Sequence, residues 1–375
     1  MLDTIILQIP LDISRVMNFN RFQITKSEIL GIRGRFAKWI NNATASEKKQ
    51  GIYRPRLTII KRTGVLFLKV EFSAPKMLFG NNLDEVGETD FARVVELLHK
   101  SIQEMGVNIW SHELENAPVI SFHPSKNIVL SGGYTADFVI KELFKANINK
   151  TFDLTGTRFI NNGQSLQIYT NSHSFVVYDK IADMGKPKKR AIDKDQTTKQ
   201  MTIFDDLKSQ NKRLEIVRFE VRLSKAVKMM SVLGKIEYLD RSPVFKEIFY
   251  EDLCQKLVMD YWEKFFGSSL FIFSTDTKPQ NILRSILMAD PKMKAAKAIQ
   301  LTGLKLLCKD DEGFRGLRAV IEGFRGKDAW TSVNREITRL GAIKGGNLHG
   351  FIKQIRQGLK DFKALKLADL PCKEL

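Results

Sequence analysis

Apolar and charged positions alternate most strictly at 215–223, where Val217, Phe219, Val221 and Leu223 take turns with Arg218, Glu220 and Arg222. A two-residue period puts one set on each face of a β-strand. The same reading predicts strands over 2–9, 56–61, 65–72, 119–123, 165–170 and 174–180. Hairpins close at Arg62-Thr63-Gly64 and Asn171-Ser172-His173. A helical period replaces it at 90–105, with Phe91, Val94, Val95, Leu97, Leu98 and Ile102 on one side, and again at 134–146. The segment 73–82 reads as a loop, and the basic stretch 27–42, with Arg33, Arg35, Lys38 and Trp39, as a loop or helix suited to a phosphate backbone. From about residue 225 the pattern is helical, at 244–266, 280–307 and 345–362, and only 270–273 resembles a strand.

This order predicts an α+β fold, an antiparallel sheet with helices on one face and its polar face accessible, followed by a mainly helical C-terminal part. The boundary is expected near residue 235, giving domains of 1–235 and 236–375.

Sixty Lys and Arg against forty-two Asp and Glu give a net charge of +18, which favours a polyanionic partner, with nucleic acid ahead of an anionic membrane surface. No run of about 18 apolar residues is present to span a bilayer. The apolar N-terminus is short and carries Asp3 in place of a basic region, so it reads as a first strand and not a signal peptide. Cys254, Cys308 and Cys372 are too few and too scattered for a disulfide framework or a zinc site, which fits a reducing, bacterial-type cytoplasm.

Chemistry concentrates on the polar strand faces. Tyr178 and Lys180 share one face of the 174–180 strand, opposite Phe175, Val177 and Asp179, and a phenol beside an ammonium can serve as a nucleophile with an electrostatic helper. The other strands offer Glu71, His123 and Glu220, two carboxylates and an imidazole that suit Mg²⁺ or Mn²⁺. Such a cation would favour the phenolate of a tyrosine whose unperturbed pKa is about 10. Arg218 and Arg222 flank Glu220 either as its salt-bridge partners or as holders of substrate phosphates. Lys186, Lys188, Lys189 and Arg190 make a basic segment that is either a nucleic-acid loop or a solvated insertion. Lys353, Arg356, Lys360 and Lys363 line one helical face, against DNA or simply solvated above a core of Phe351, Ile355, Leu359 and Phe362.

The ordered set of blocks resembles the rolling-circle replication initiators of the gene II type, from filamentous phages and related plasmid-like elements. The blocks are the opening Met1 to Pro10, then Val70-Glu71-Phe72-Ser73-Ala74-Pro75-Lys76 through Asn81-Asn82 and Thr89-Asp90-Phe91. Phe175 to Lys180 with Asp183, and Val217 to Arg222, complete the set. They run from the N-terminus to about residue 225, and the helical part resembles the family only loosely. His123 stands where filamentous phage members have an aspartate, and Asp183 where they have a glutamate.

The resemblance implies a nicking-endonuclease-like fold and a site- and strand-specific DNA nicking and joining enzyme. Tyr178 would form a 5′-phosphotyrosyl link and leave a 3′-OH for a host polymerase, with a host helicase as a further partner. Lys180 would stabilise the phenolate or the phosphorane, Asp183 would orient Lys180, and Glu71, His123 and Glu220 would hold the metal. The competing expectations are an inactive DNA- or RNA-binding protein on the same sheet, and a basic membrane-surface or scaffold protein that lacks an amphipathic cationic anchor.

Overall fold

The computed structural model describes residues 1–31, 36–148, 164–184, 214–342 and 347–370, and the backbone of 157–160. Nine strands form one sheet: β1 Leu2–Pro10, β2 Phe36–Asn41, β3 Arg56–Arg62, β4 Val65–Ser73, β5 Val119–Val129, β6 Thr157–Ile160, β7 Ser165–Tyr169, β8 His173–Asp179 and β9 Ile216–Leu223. Their order is β2-β3-β4-β1-β5-β9-β8-β7-β6, and every neighbouring pair is antiparallel.

Local chemistry explains most of these elements. Arg62 pairs with Val65 across Thr63 and Gly64, both at positive φ, the geometry that matches a tight hairpin to strand twist. β5 is longer than the expected 119–123, because Pro124 does not end it. Pro124 lies opposite Leu2 beside an irregularity in the β1–β5 register, where a missing N–H is tolerated. The expected loop at 73–82 instead opens with a helix, Ala74–Phe79, which has proline in its first turn and Gly80 in the left-handed region past its end. The basic 27–42 stretch holds a helix, Lys26–Gly31, and the edge strand β2. The apolar 270–273 run lies in a 3₁₀ segment, Gly267–Phe273, and the 280–307 pattern splits at Pro291 into Pro279–Ala289 and Ala295–Lys309.

Val217, Phe219 and Val221 of β9 face the helices and are fully buried. Phe219 meets Trp262 edge-on at 5.6 Å between ring centroids, and Phe175 of β8 stacks on Phe265 at 5.8 Å, so the Glu251–Phe266 helix lies directly on the middle of the sheet. The Gly350–Asp361 helix also packs on β5, and its Phe351, Ile352, Ile355 and Leu359 are buried in the same core. One continuous core therefore runs from Met1 to Phe362 and crosses residue 235, where the pattern changes from strands to helices.

The opposite face is not open to solvent as expected. A second apolar cluster of Leu83, Met184, Ile216 and Leu370 covers part of it. Ile216 shares that face with Arg218 and Glu220 through strand alternation. The cover is drawn from the segment after β4, the Lys180–Met184 helix and the 365–370 segment.

Candidate active site

The centre of the sheet, β5-β9-β8, places the candidate chemistry. Tyr178 on β8 lies opposite Arg218 on β9, so Glu220 is its diagonal neighbour on the same face, within reach of a long side chain. The phenol donates to Glu220 Oε2 at 3.0 Å. On β5, the register that pairs Phe122 with Leu223 and Ser125 with Glu220 brings His123 to the same carboxylate. Its Nδ1 lies 3.3 Å from Glu220 Oε1, and Arg222 Nε donates to that oxygen at 2.7 Å.

Electrostatics divide the roles. Burial alone would raise the Glu220 pKa, but the Arg222 charge and then the His123 contact hold it well below the usual carboxylate range. Burial drives Tyr178 the other way, well above 10, and the Glu220 charge adds to this against the opposing Arg218. The resting pair is thus a neutral phenol hydrogen-bonded to an ionised carboxylate. A buried anion poised on a hydroxyl can take its proton as the oxygen attacks.

Lys180 does not continue the strand beside Tyr178. It begins the Lys180–Met184 helix, fully buried, with its ammonium 6.0 Å from the Tyr178 ring centroid. Asp183 is half-buried on the same helix, and its charge adds to the upward push on the phenol.

Arg218 is not a surface group. It is fully buried, and it donates to Asn127 Oδ1 at 2.7 Å, Asp3 Oδ2 at 2.9 Å and the Asn82 carbonyl at 3.0 Å. Burial would raise Asp3, but Arg218 lowers it, so it stays charged, and Ser73 Oγ donates to its other oxygen at 3.0 Å. Arg222 is the salt-bridge partner of Glu220, with its side chain one-third exposed. Of the two readings that the sequence left open for this pair, ion pairing with Glu220 describes Arg222. Arg218, however, pairs with Asp3, which sequence reasoning missed. The signal was an acid inside an apolar strand, since a buried carboxylate requires a cation.

Glu71 stands apart. It lies opposite Ile6 on β1 and Arg56 on β3, and pairs with Lys69 Nζ at 3.3 Å. Both Glu220 oxygens are engaged, and among the described residues no group of three or more His, Cys, Asp and Glu side chains is placed to hold a metal ion. The donor set expected for Mg²⁺ or Mn²⁺ is therefore not assembled: His123 and Glu220 meet, but an arginine occupies the carboxylate and Glu71 is elsewhere. Lys186, Lys188, Lys189 and Arg190 lie outside the described residues. Comparison with family models, curated proteins and solved structures finds no match to the chain.

Proposed function

We propose that the protein nicks and rejoins DNA at a replication origin through Tyr178, starting rolling-circle replication on a nicking-endonuclease-like sheet. The observation that carries this reading is the hydrogen bond from the Tyr178 phenol to a Glu220 carboxylate held ionised by Arg222 and His123. In the forward step the phenol oxygen bonds to phosphorus while its proton passes to Glu220. The bond from phosphorus to the 3′ oxygen breaks, and that oxygen leaves as a hydroxyl with the proton from Glu220. The 5′-phosphotyrosyl link conserves the bond for rejoining, which runs the same steps in reverse.

Lys180 and Arg222 place positive charge near the phenol, where negative charge develops on the phosphoryl oxygens. The chain's +18 supplies salt-dependent affinity for the DNA backbone. The freed 3′-OH would be extended by a host polymerase beside a helicase, in a bacterial cytoplasm. Among the described residues Glu71 lies away from His123 and Glu220, so the steps above are written with protein groups alone.

The burial of Tyr178 favours a second reading, an inactive nucleic-acid-binding protein in which the phenol is a structural residue. Supercoiled DNA of the protein's own replicon separates the two. The enzyme relaxes it and leaves a protein-blocked 5′ end, and Tyr178→Phe abolishes this while DNA binding changes by less than about threefold. Nicking by the phenylalanine variant would discard Tyr178 as the nucleophile and direct attention to Tyr169.

A further inference from the structure

The Ala295–Lys309 helix has its charges turned inward and its apolar residues turned out. Ala296, Ile299, Gln300, Gly303 and Leu307 recur every three or four residues along its exposed face, and none of them is charged. Its lysines point the other way. Lys305 is buried, Lys297 pairs with Glu336 at 2.6 Å, and Lys309 donates to the carbonyls of Ser274 and Asp276 at 2.6 and 2.7 Å. Ile299 and Leu307, by contrast, are 60% and 57% exposed. The Gly313–Arg325 helix, which packs on this one, repeats the inversion: Arg318 is buried, while Val320 and Phe324 are 58% and 85% exposed. A solvated helix puts its charges outward, and a clustered apolar face marks an interaction site.

We propose that this face pairs with a second copy of the chain, the two Ala295–Lys309 helices crossing antiparallel about a two-fold axis at Gly303. Ile299 and Leu307 lie four residues before and after Gly303, so the axis sets each against the other in the partner copy. A Cβ at Gly303 would meet nothing within 4 Å, so packing inside one copy does not require the glycine. Two helix backbones crossing closely there do require it. The ends match in charge. Lys294 and Glu312 are exposed and each stands nine residues from Gly303, so the same axis brings Lys294 beside the partner's Glu312, twice. Ile299, Leu307, Val320 and Phe324 leave on the order of 500 Å² of apolar surface per copy, the larger part of the roughly 800 Å² that each partner gives to a standard interface. A polyanion would need cations on this face and finds none, although the whole chain carries +18. The pairing does not depend on whether the protein nicks DNA.

Sedimentation velocity of the full-length protein without DNA should show a dimer that dissociates on dilution. Gly303→Glu adds a better helix former at an open position, so the single chain should fold with an unchanged circular dichroism spectrum. It also sets two like charges on the axis, and should weaken the dimer by about 100-fold or more. Lys294→Glu should weaken it by about tenfold, because symmetry repeats the change at both ends. Adding Glu312→Lys to that variant should restore the parent affinity, which only an arrangement that joins the two positions can do. A chain that stays monomeric up to its solubility limit overturns the proposal. So does a dimer that Gly303→Glu leaves intact, or a charge exchange that fails to rescue.

Discussion

Arg218 on β9 donates to Asp3 on β1 at 2.9 Å, although β5 lies between their strands. With its guanidinium also committed to Asn127 and the Asn82 carbonyl, this pair ties three strands beneath Tyr178. Removing one member leaves the other charge buried and uncompensated, which costs about 3–5 kcal/mol. Arg218→Met and Asp3→Asn should each lower the urea midpoint strongly, and the double variant should lose less than the sum of the two. Additive losses would show that the two charges are not coupled.

Glu220→Gln keeps the size of the side chain and removes the base. If Glu220 takes the Tyr178 proton, the single-turnover nicking rate should fall by about 10²–10⁴-fold, the usual range for a positioned acid–base group. Oligonucleotide affinity should barely change. A rate within about threefold of the parent would assign proton transfer to another group.

His173 makes the chain's stability depend on pH. Its Nδ1 lies 2.9 Å from Thr170 Oγ1 in the β7–β8 hairpin, and burial, aided by Lys228 and Lys264, pushes its pKa down to about 4. Unfolding restores a value near 6.5, so between about pH 4 and 6.5 the unfolded chain binds more protons. Stability contributed by the neutral imidazole is therefore full above pH 6.5 and is lost as pH falls towards 4. Denaturation series across this window should show a steeper acid decline for the parent than for His173→Gln. Parallel declines would place the titration elsewhere.

Cys254 and Cys308 are buried, and burial raises each thiol to about 12, far from the thiolate range. Both should resist a thiol-reactive probe in the native protein and react once it is unfolded. Rapid labelling of either under native conditions would mean that the core around the Glu251–Phe266 or Ala295–Lys309 helix opens readily.

Much of the sheet was legible because burial of one face imposes the two-residue period, as in β9, and the Gly350–Asp361 helix because Phe351, Ile355 and Leu359 return every turn. Alternation identifies two faces, however, and does not say whether the polar one meets water. Arg218 reads as a surface cation for that reason. Its burial depends on Leu83, Met184 and Leu370, three residues distant in sequence that cover the same face. The strand placement of Lys180 failed locally: the strand ends at Asp179, whose carboxylate accepts from the Ala182 N–H and turns the chain into a helix. Tyr178 and Glu220 could be singled out separately, but the bond between them requires the β8–β9 register, and Asp3 depends on contacts across three strands.

The position of β9 in the sheet also dictates when the site can exist during synthesis. β5 and β8 are complete before residue 180, yet both pair with β9, the last strand to be made. Until residue 223 is available, each keeps a bare edge of unpaired backbone groups, Tyr178 lacks its carboxylate and Asp3 its counter-charge. If the protein nicks DNA through Tyr178 as proposed, a chain halted anywhere before 216 would carry two bare strand edges and be unable to cut.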